Sequence, residues 1–127
     1  MEFEDLIRIA YANLKPNKLS KYVTVGEVSC ALLTDKGNVY TGVNIDAACS
    51  VGFCAEHAAI SAMINAGETR IMKIVTVSNH NVIYPPCGRC RELISQVDER
   101  NFQTEIMMDD KTILRLKDVL PFDWKYH

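Results

Sequence analysis

Cys54-Ala55-Glu56, followed further along the chain by Pro86-Cys87-Gly88-Arg89-Cys90, combines residue types that can do hydrolytic chemistry. Zinc takes four tetrahedral ligands, and a catalytic zinc takes three from the protein and leaves the fourth corner to a water whose proton it loosens. Cys54, Cys87 and Cys90 match that count for one Zn²⁺ per chain. On a helix, Cys87 and Cys90 stand at i and i+3 and share a face, while Cys54 must arrive from a separate element. Glu56 follows Cys54 by two positions, roughly 200° around an ideal helix, so both serve one site only if the metal lies off the helix end. A carboxylate placed there, outside the metal shell, can take a proton from water and hand it to a leaving amine, worth roughly 10²–10⁴ in rate.

Other readings of the same residues stand beside this one. Cys49 or His57 could close the tetrahedron and make a structural, non-catalytic zinc module. Cys87 and Cys90 alone also suit a thioredoxin-like redox pair, although Pro85-Pro86 just before them and Cys-Ala-Glu upstream do not fit that motif. Cys30, in the apolar run Val28-Ser-Cys-Ala-Leu-Leu33, reads as a small buried hydrophobe.

A first ligand followed by x-Glu and later by Pro-Cys-x-x-Cys resembles the zinc-dependent base deaminases. Cysteine rather than histidine as the first ligand is similar to the cytidine deaminase and blasticidin S deaminase branch. The likeness extends to Thr34-Asp-Lys-Gly37-Asn-Val-Tyr-Thr-Gly42-Val-Asn44-Ile-Asp46, which resembles the family's hairpin and Gly-x-Asn-[Val/Ile]-Glu, and to Val119-Leu120-Pro121, which resembles its closing Leu-Leu-Pro. The resemblance implies Glu56 as the proton shuttle in hydrolytic deamination of cytidine or deoxycytidine. It implies Asn44 and Asp46 on the ribose hydroxyls, although the family carries Glu at the second place and Asp is one methylene shorter. The Ala55 and Cys87 N–H groups, near helix starts, would steady developing charge. The usual Phe ahead of the hairpin aligns near Gly26, so Phe53 is the candidate to replace it. Trp124 aligns with an aromatic that reaches a neighbouring subunit's pocket in a homotetramer. The aromatic ending Phe122 to His127 is closer to the blasticidin type, so a deaminase of a modified cytosine nucleoside or nucleoside antibiotic is the alternative.

Three thiolates and Zn²⁺ sum to a charge of −1, which would weaken the metal as a Lewis acid unless donors reach the sulfurs. The family places Arg directly after the catalytic Glu; here that position is His57. His57, Arg89 and Arg91 are the candidates to take over the compensation.

The elements that must position these groups are legible from periodicity. Phe3, Leu6, Ile7, Ala10 and Leu14 recur at helical steps, and Lys15-Pro16-Asn17 stops them. Val25 to Leu33 and Val39 to Thr41 flank the turn residues Asp35 to Asn38, a hairpin. Asn44 to Phe53 is small, polar and irregular, a functional loop. Cys54 to Ala66 is a helix with a glycine stop at Gly67. Ile71 to Val77 is apolar almost throughout, a strand covered on both faces. Cys87 to about Glu99 is a second helix, entered through prolines; Thr104 to Met108 is a strand, and Ile113 to Leu120 a short final helix. This order argues for an α/β three-layer α-β-α sandwich, and the resemblance implies a five-stranded mixed sheet.

The chain has 127 residues, is 48% hydrophobic and 24% charged, and carries a net charge of −2. That fits one domain, residues 1–127, and lacks the basic footprint of a nucleic-acid binder. Met1-Glu-Phe-Glu-Asp5 is acidic where a secretory signal is basic, and no apolar run suits a membrane span. The expected setting is the cytoplasm, where five cysteines, an odd number, read as metal ligands and free thiols.

Overall fold

The structure, a computed structural model, describes residues 1–126. The chain runs α1 (Phe3–Ala12), β1 (Asn17–Lys18), β2 (Val23–Thr34), β3 (Val39–Ala47), α2 (Ala55–Asn65), β4 (Ile71–Ser78), α3 (Gly88–Val97), β5 (Glu105–Met107), β6 (Ile113–Arg115) and α4 (Leu116–Val119). Short 3₁₀ segments cover Ala48–Ser50, Glu99–Gln103 and Trp124–Tyr126.

Strand alternation separates two cores. Ala31, Val75 and Val77 face Phe3, Leu6 and Ala10 of α1. Cys30, Leu32, Ile74 and Ile106 face the opposite way, against Ala59, Ile60 and Met63 of α2, Ile94 of α3 and Leu116 of α4. The sheet is therefore sandwiched between α1 on one side and the remaining helices on the other, the expected three layers. Leu6, Leu32 and Ile94 are fully buried, each worth roughly 1.5–3 kcal/mol relative to exposure. Cys30 is fully buried, as its apolar surroundings suggested.

β2 pairs antiparallel with β3 along one edge; along the other it meets β1 at Thr24 and Val25 and then β4 from Val28 onward. β4 pairs in parallel with β5, and β5 antiparallel with β6. The mixed sheet is thus five lanes wide, with the two-residue β1 as a sixth strand end-on to β4. A bulge in β2 between Val25 and Ser29 holds Gly26 at φ +78, where a Cβ would lie 2.1 Å from the Lys15 carbonyl oxygen.

Two stretches differ from the sequence reading. The segment read as an irregular loop from Asn44 continues as strand to Ala47, with Asp46 opposite Thr24, because pairing resumes past the bulge. Ile113 to Arg115, read as the start of a helix, forms β6 instead: Asp109 Oδ1 accepts from the Lys111 and Thr112 N–H groups at 2.8 and 2.7 Å, which turns the chain back onto β5. Three exposed residues on an edge strand carry no alternation to betray them. Among the described residues, no helix is long and apolar enough to cross a membrane.

Candidate active site

Two helix N-termini meet at the exit of β4. Cys54 is the N-cap of α2 and Cys87 the N-cap of α3, both extended (ψ 157 and 170). Local sequence explains each entry. Phe53 bridges back to Ile45 through two 3.0 Å backbone bonds, turning the chain into α2 beside β3, and Pro85-Pro86 hold an extended approach to α3. Cys90, in the first turn of α3, is fully buried.

The Cys54 and Cys87 sulfurs lie 3.7 Å apart, and those of Cys87 and Cys90 3.6 Å. Tetrahedral Zn–S bonds of 2.3 Å place neighbouring sulfurs about 3.8 Å apart, so both edges that meet at Cys87 match a zinc–thiolate site. His57 Nδ1 approaches Cys90 Sγ at 3.3 Å, and the Cys54, His57 and Cys90 donor atoms all lie within 4.8 Å of one another. This Cys-His-Cys group could itself hold one zinc. Cys49, the other candidate for a fourth ligand, is exposed in the 3₁₀ turn at φ 61 and takes no part in the cluster. Because Cys54 is a cap rather than a helical residue, its sulfur and the Glu56 carboxyl both serve the space off the end of α2.

The thiols are not equivalent. Burial pushes Cys90 far above the ordinary thiol range and raises Cys54 more modestly. Burial also acts against Cys87, yet hydrogen bonds from the Cys90 and Arg89 backbone and from the neighbouring thiols bring it below its ordinary value. The first-turn N–H groups of α3 thus favour a thiolate at the cap, as the helix dipole requires. A bound cation deprotonates coordinating thiols outright. Glu56 is 4% exposed, and burial raises its carboxyl, partly offset by hydrogen bonds from its own N–H, Thr76 and Cys90. Of the three groups considered for charge compensation, His57 touches a sulfur, Arg91 Nη1 donates instead to the Val119 carbonyl at 2.9 Å, and Arg89 is exposed.

A cavity of about 400 Å³ opens over these groups, lined among others by Asn44, Asp46, Phe53, Cys54, Ala55, Glu56 and Cys87. The structure therefore gathers all but one of the residues proposed to bind substrate. Trp124 is the exception: it is 70% exposed, with Nε1 3.3 Å from Glu92 Oε1 on α3. His127 of the aromatic ending lies outside the described residues. The sequence reading missed Val28, Thr76 and Tyr84 in the lining. Thr76 had a signal, as a polar residue inside the apolar run Ile71 to Val77. Tyr84, before Pro85-Pro86, offered none.

Residues 3–105 match the sequence profile of the cytidine and deoxycytidylate deaminase zinc-binding region. A cytidine deaminase of Mycobacterium tuberculosis is 32% identical over 96 residues, covering 74% of this chain and 69% of the relative. One from Sporosarcina psychrophila is 31% identical over 99 residues, 76% of this chain and 70% of the relative. The crystal structure of cytidine deaminase from Mycobacterium leprae superposes with a TM-score of 0.79 at 27% identity, covering 95% of this chain and 98% of that one.

Proposed function

The chain belongs to the cytidine and deoxycytidylate deaminase family of zinc enzymes, and from that premise we propose that it hydrolyses free cytosine nucleosides, cytidine and deoxycytidine, to the uridine counterparts and ammonia. The observation that carries the reading is the triangle of cysteine sulfurs, 3.6 and 3.7 Å along two edges, beside a buried Glu56 in a cavity large enough for a nucleoside. Cys54, Cys87 and Cys90 are the metal ligands. Zinc held there supplies a Lewis acid that makes water acidic enough to lose a proton near neutral pH.

The chain's own residues do the rest. Glu56, buried and raised, takes one proton from water and gives it to the ring nitrogen, then takes the second from the hydroxyl newly added to the ring carbon and gives it to the departing amine. Water's oxygen replaces nitrogen on the ring and ammonia leaves, so atoms balance. The Ala55 N–H, free at the start of α2, steadies the developing charge. His57 donates Nδ1–H to Cys90 Sγ and offsets thiolate charge in the role the family gives to arginine; as a donor rather than a ligand, it keeps the fourth corner for solvent. Asn44 Oδ1 accepts from the Val28 N–H at 3.0 Å, which fixes the amide and turns its nitrogen to the sugar hydroxyls beside Asp46. Phe53 lies along the base. Residues 1–127 act as one deaminase domain in a cytoplasmic homotetramer, and the exposed Trp124 reaches a neighbour's cavity.

A panel of cytosine compounds, followed by loss of cytosine absorbance, tests the substrate. Turnover of cytidine and deoxycytidine is expected; a zinc-loaded protein that converts neither, or only a modified nucleoside, overturns the assignment.

A further inference from the structure

We propose that the segment from Val119 to Lys125 is a clasp on the second turn of α3, and that Lys125 and Glu92 are positioning residues for the metal ligands Cys87 and Cys90. This rests on the ligand assignment above. α3 spends its first turn on the metal pair, and the next two residues are held by the C-terminal segment rather than by the sheet. Arg91 Nη1 donates to the Val119 carbonyl at 2.9 Å. Glu92 accepts from Trp124 Nε1 at 3.3 Å and from Lys125 Nζ at 2.7 Å, and the same ammonium reaches Asp123 Oδ1 at 2.6 Å.

The Glu92 side chain is 31% exposed, but its partner ammonium lies deeper. The Asp123 and Lys125 side chains are only 5% and 14% exposed, so solvent and salt screen them weakly. Asp123 Oδ2 has no partner among the described residues. Lys125 is thus the cation that keeps a buried carboxylate tolerable, and its loss would release Asp123 and Glu92 together. The cavity side of α3 needs such a hold. Ile94 and the Asn101 Nδ2 bond to its carbonyl, 3.1 Å, secure the middle of the helix, whereas Cys87 and Arg89 at its start are exposed. Ligand sulfurs must be held to within about 0.5 Å to keep a metal geometry; Cys90 is packed in the core, but the exposed cap Cys87 has no such packing and depends on how the second turn of α3 is held.

The test uses full-length protein with Lys125→Met, Lys125→Arg, Glu92→Gln and Cys87→Ser. Zinc loss to a chelator is timed, the thiolate-to-metal absorption of the Co²⁺ form is recorded, and the metal-free proteins are melted. Lys125→Met and Glu92→Gln are expected to release zinc on the order of tenfold faster and to change the Co²⁺ spectrum, with Lys125→Arg close to wild type. Release and spectrum unchanged in Lys125→Met, even with a lower melting temperature, would leave the clasp a stability feature and overturn the proposal. Zinc binding that survives Cys87→Ser would overturn the ligand assignment, and the clasp with it.

Discussion

Glu56 and His57 are sequence neighbours that face different groups. Glu56 points to the cavity and is almost fully buried, whereas His57, half-buried, reaches Cys90. Glu56→Gln preserves shape while removing the carboxylate proposed to accept the proton. It should retain one zinc and lose roughly 10²–10⁴ in kcat; steady-state rates beside metal analysis check this, and a variant that still turns over would reassign the base. On the proposed ligand set, His57→Leu removes the imidazole beside Cys90 Sγ and should weaken zinc retention by roughly 10–100-fold. A chelator titration equal to wild type would show that the thiolate charge is balanced elsewhere.

At the scale of elements, the site depends on how closely α2 lies on the sheet. Gly42 of β3 makes that approach possible: a Cβ there would stand 2.3 Å from the Ala59 nitrogen and 2.6 Å from the Ala58 Cβ. Gly42→Ala should push α2, and with it Cys54 and Glu56, off the sheet at a cost of about 1–3 kcal/mol; denaturant unfolding measures the loss, and activity should fall with it. The far end of the β2–β3 hairpin is fastened separately. Glu68 accepts from Asn38 Nδ2 at 2.8 Å and the Tyr40 hydroxyl at 2.5 Å. Hydrogen bonds from Thr34, Tyr40 and Asn38 hold its carboxyl below the ordinary range. A depressed carboxylate adds stability above its unfolded value and loses it as pH falls through the folded one. Glu68→Gln should therefore melt below wild type at neutral pH, with the difference closing in strong acid. A gap independent of pH would mean that the carboxylate charge contributes nothing.

For the whole molecule, zinc is a ligand of the native state and stabilises it by mass action, about 2.7 kcal/mol at one hundred times its dissociation constant. Chelation should lower the melting temperature and zinc, added back, should restore it. Phe122 and Trp124 are 88% and 70% exposed, apolar surface that an assembly would cover. Sedimentation should give the mass of four chains, and Trp124→Ala should reduce either that assembly or the affinity for nucleoside; a monomer with full activity would remove the tetramer and the role given to Trp124.

What the sequence determined by itself is local. The i, i+3 cysteines after Pro85-Pro86, the two-residue spacing of Cys54 and Glu56, the stripe of α1 and the stop at Gly67 follow from rules acting within a few residues, and each was readable; that Cys54 and Cys87 cap their helices rather than lie in them came from the structure. The tertiary structure decided what depends on separation across the chain. It brought Cys54 within 3.7 Å of Cys87 and chose His57 over Arg91 as the neighbour of Cys90. It drew Thr76 and Tyr84 into the cavity wall and turned Ile113 to Arg115 into a strand. Those outcomes rest on strand register and on the packing of α2 and α3 against one sheet face, which no window of neighbouring residues encodes.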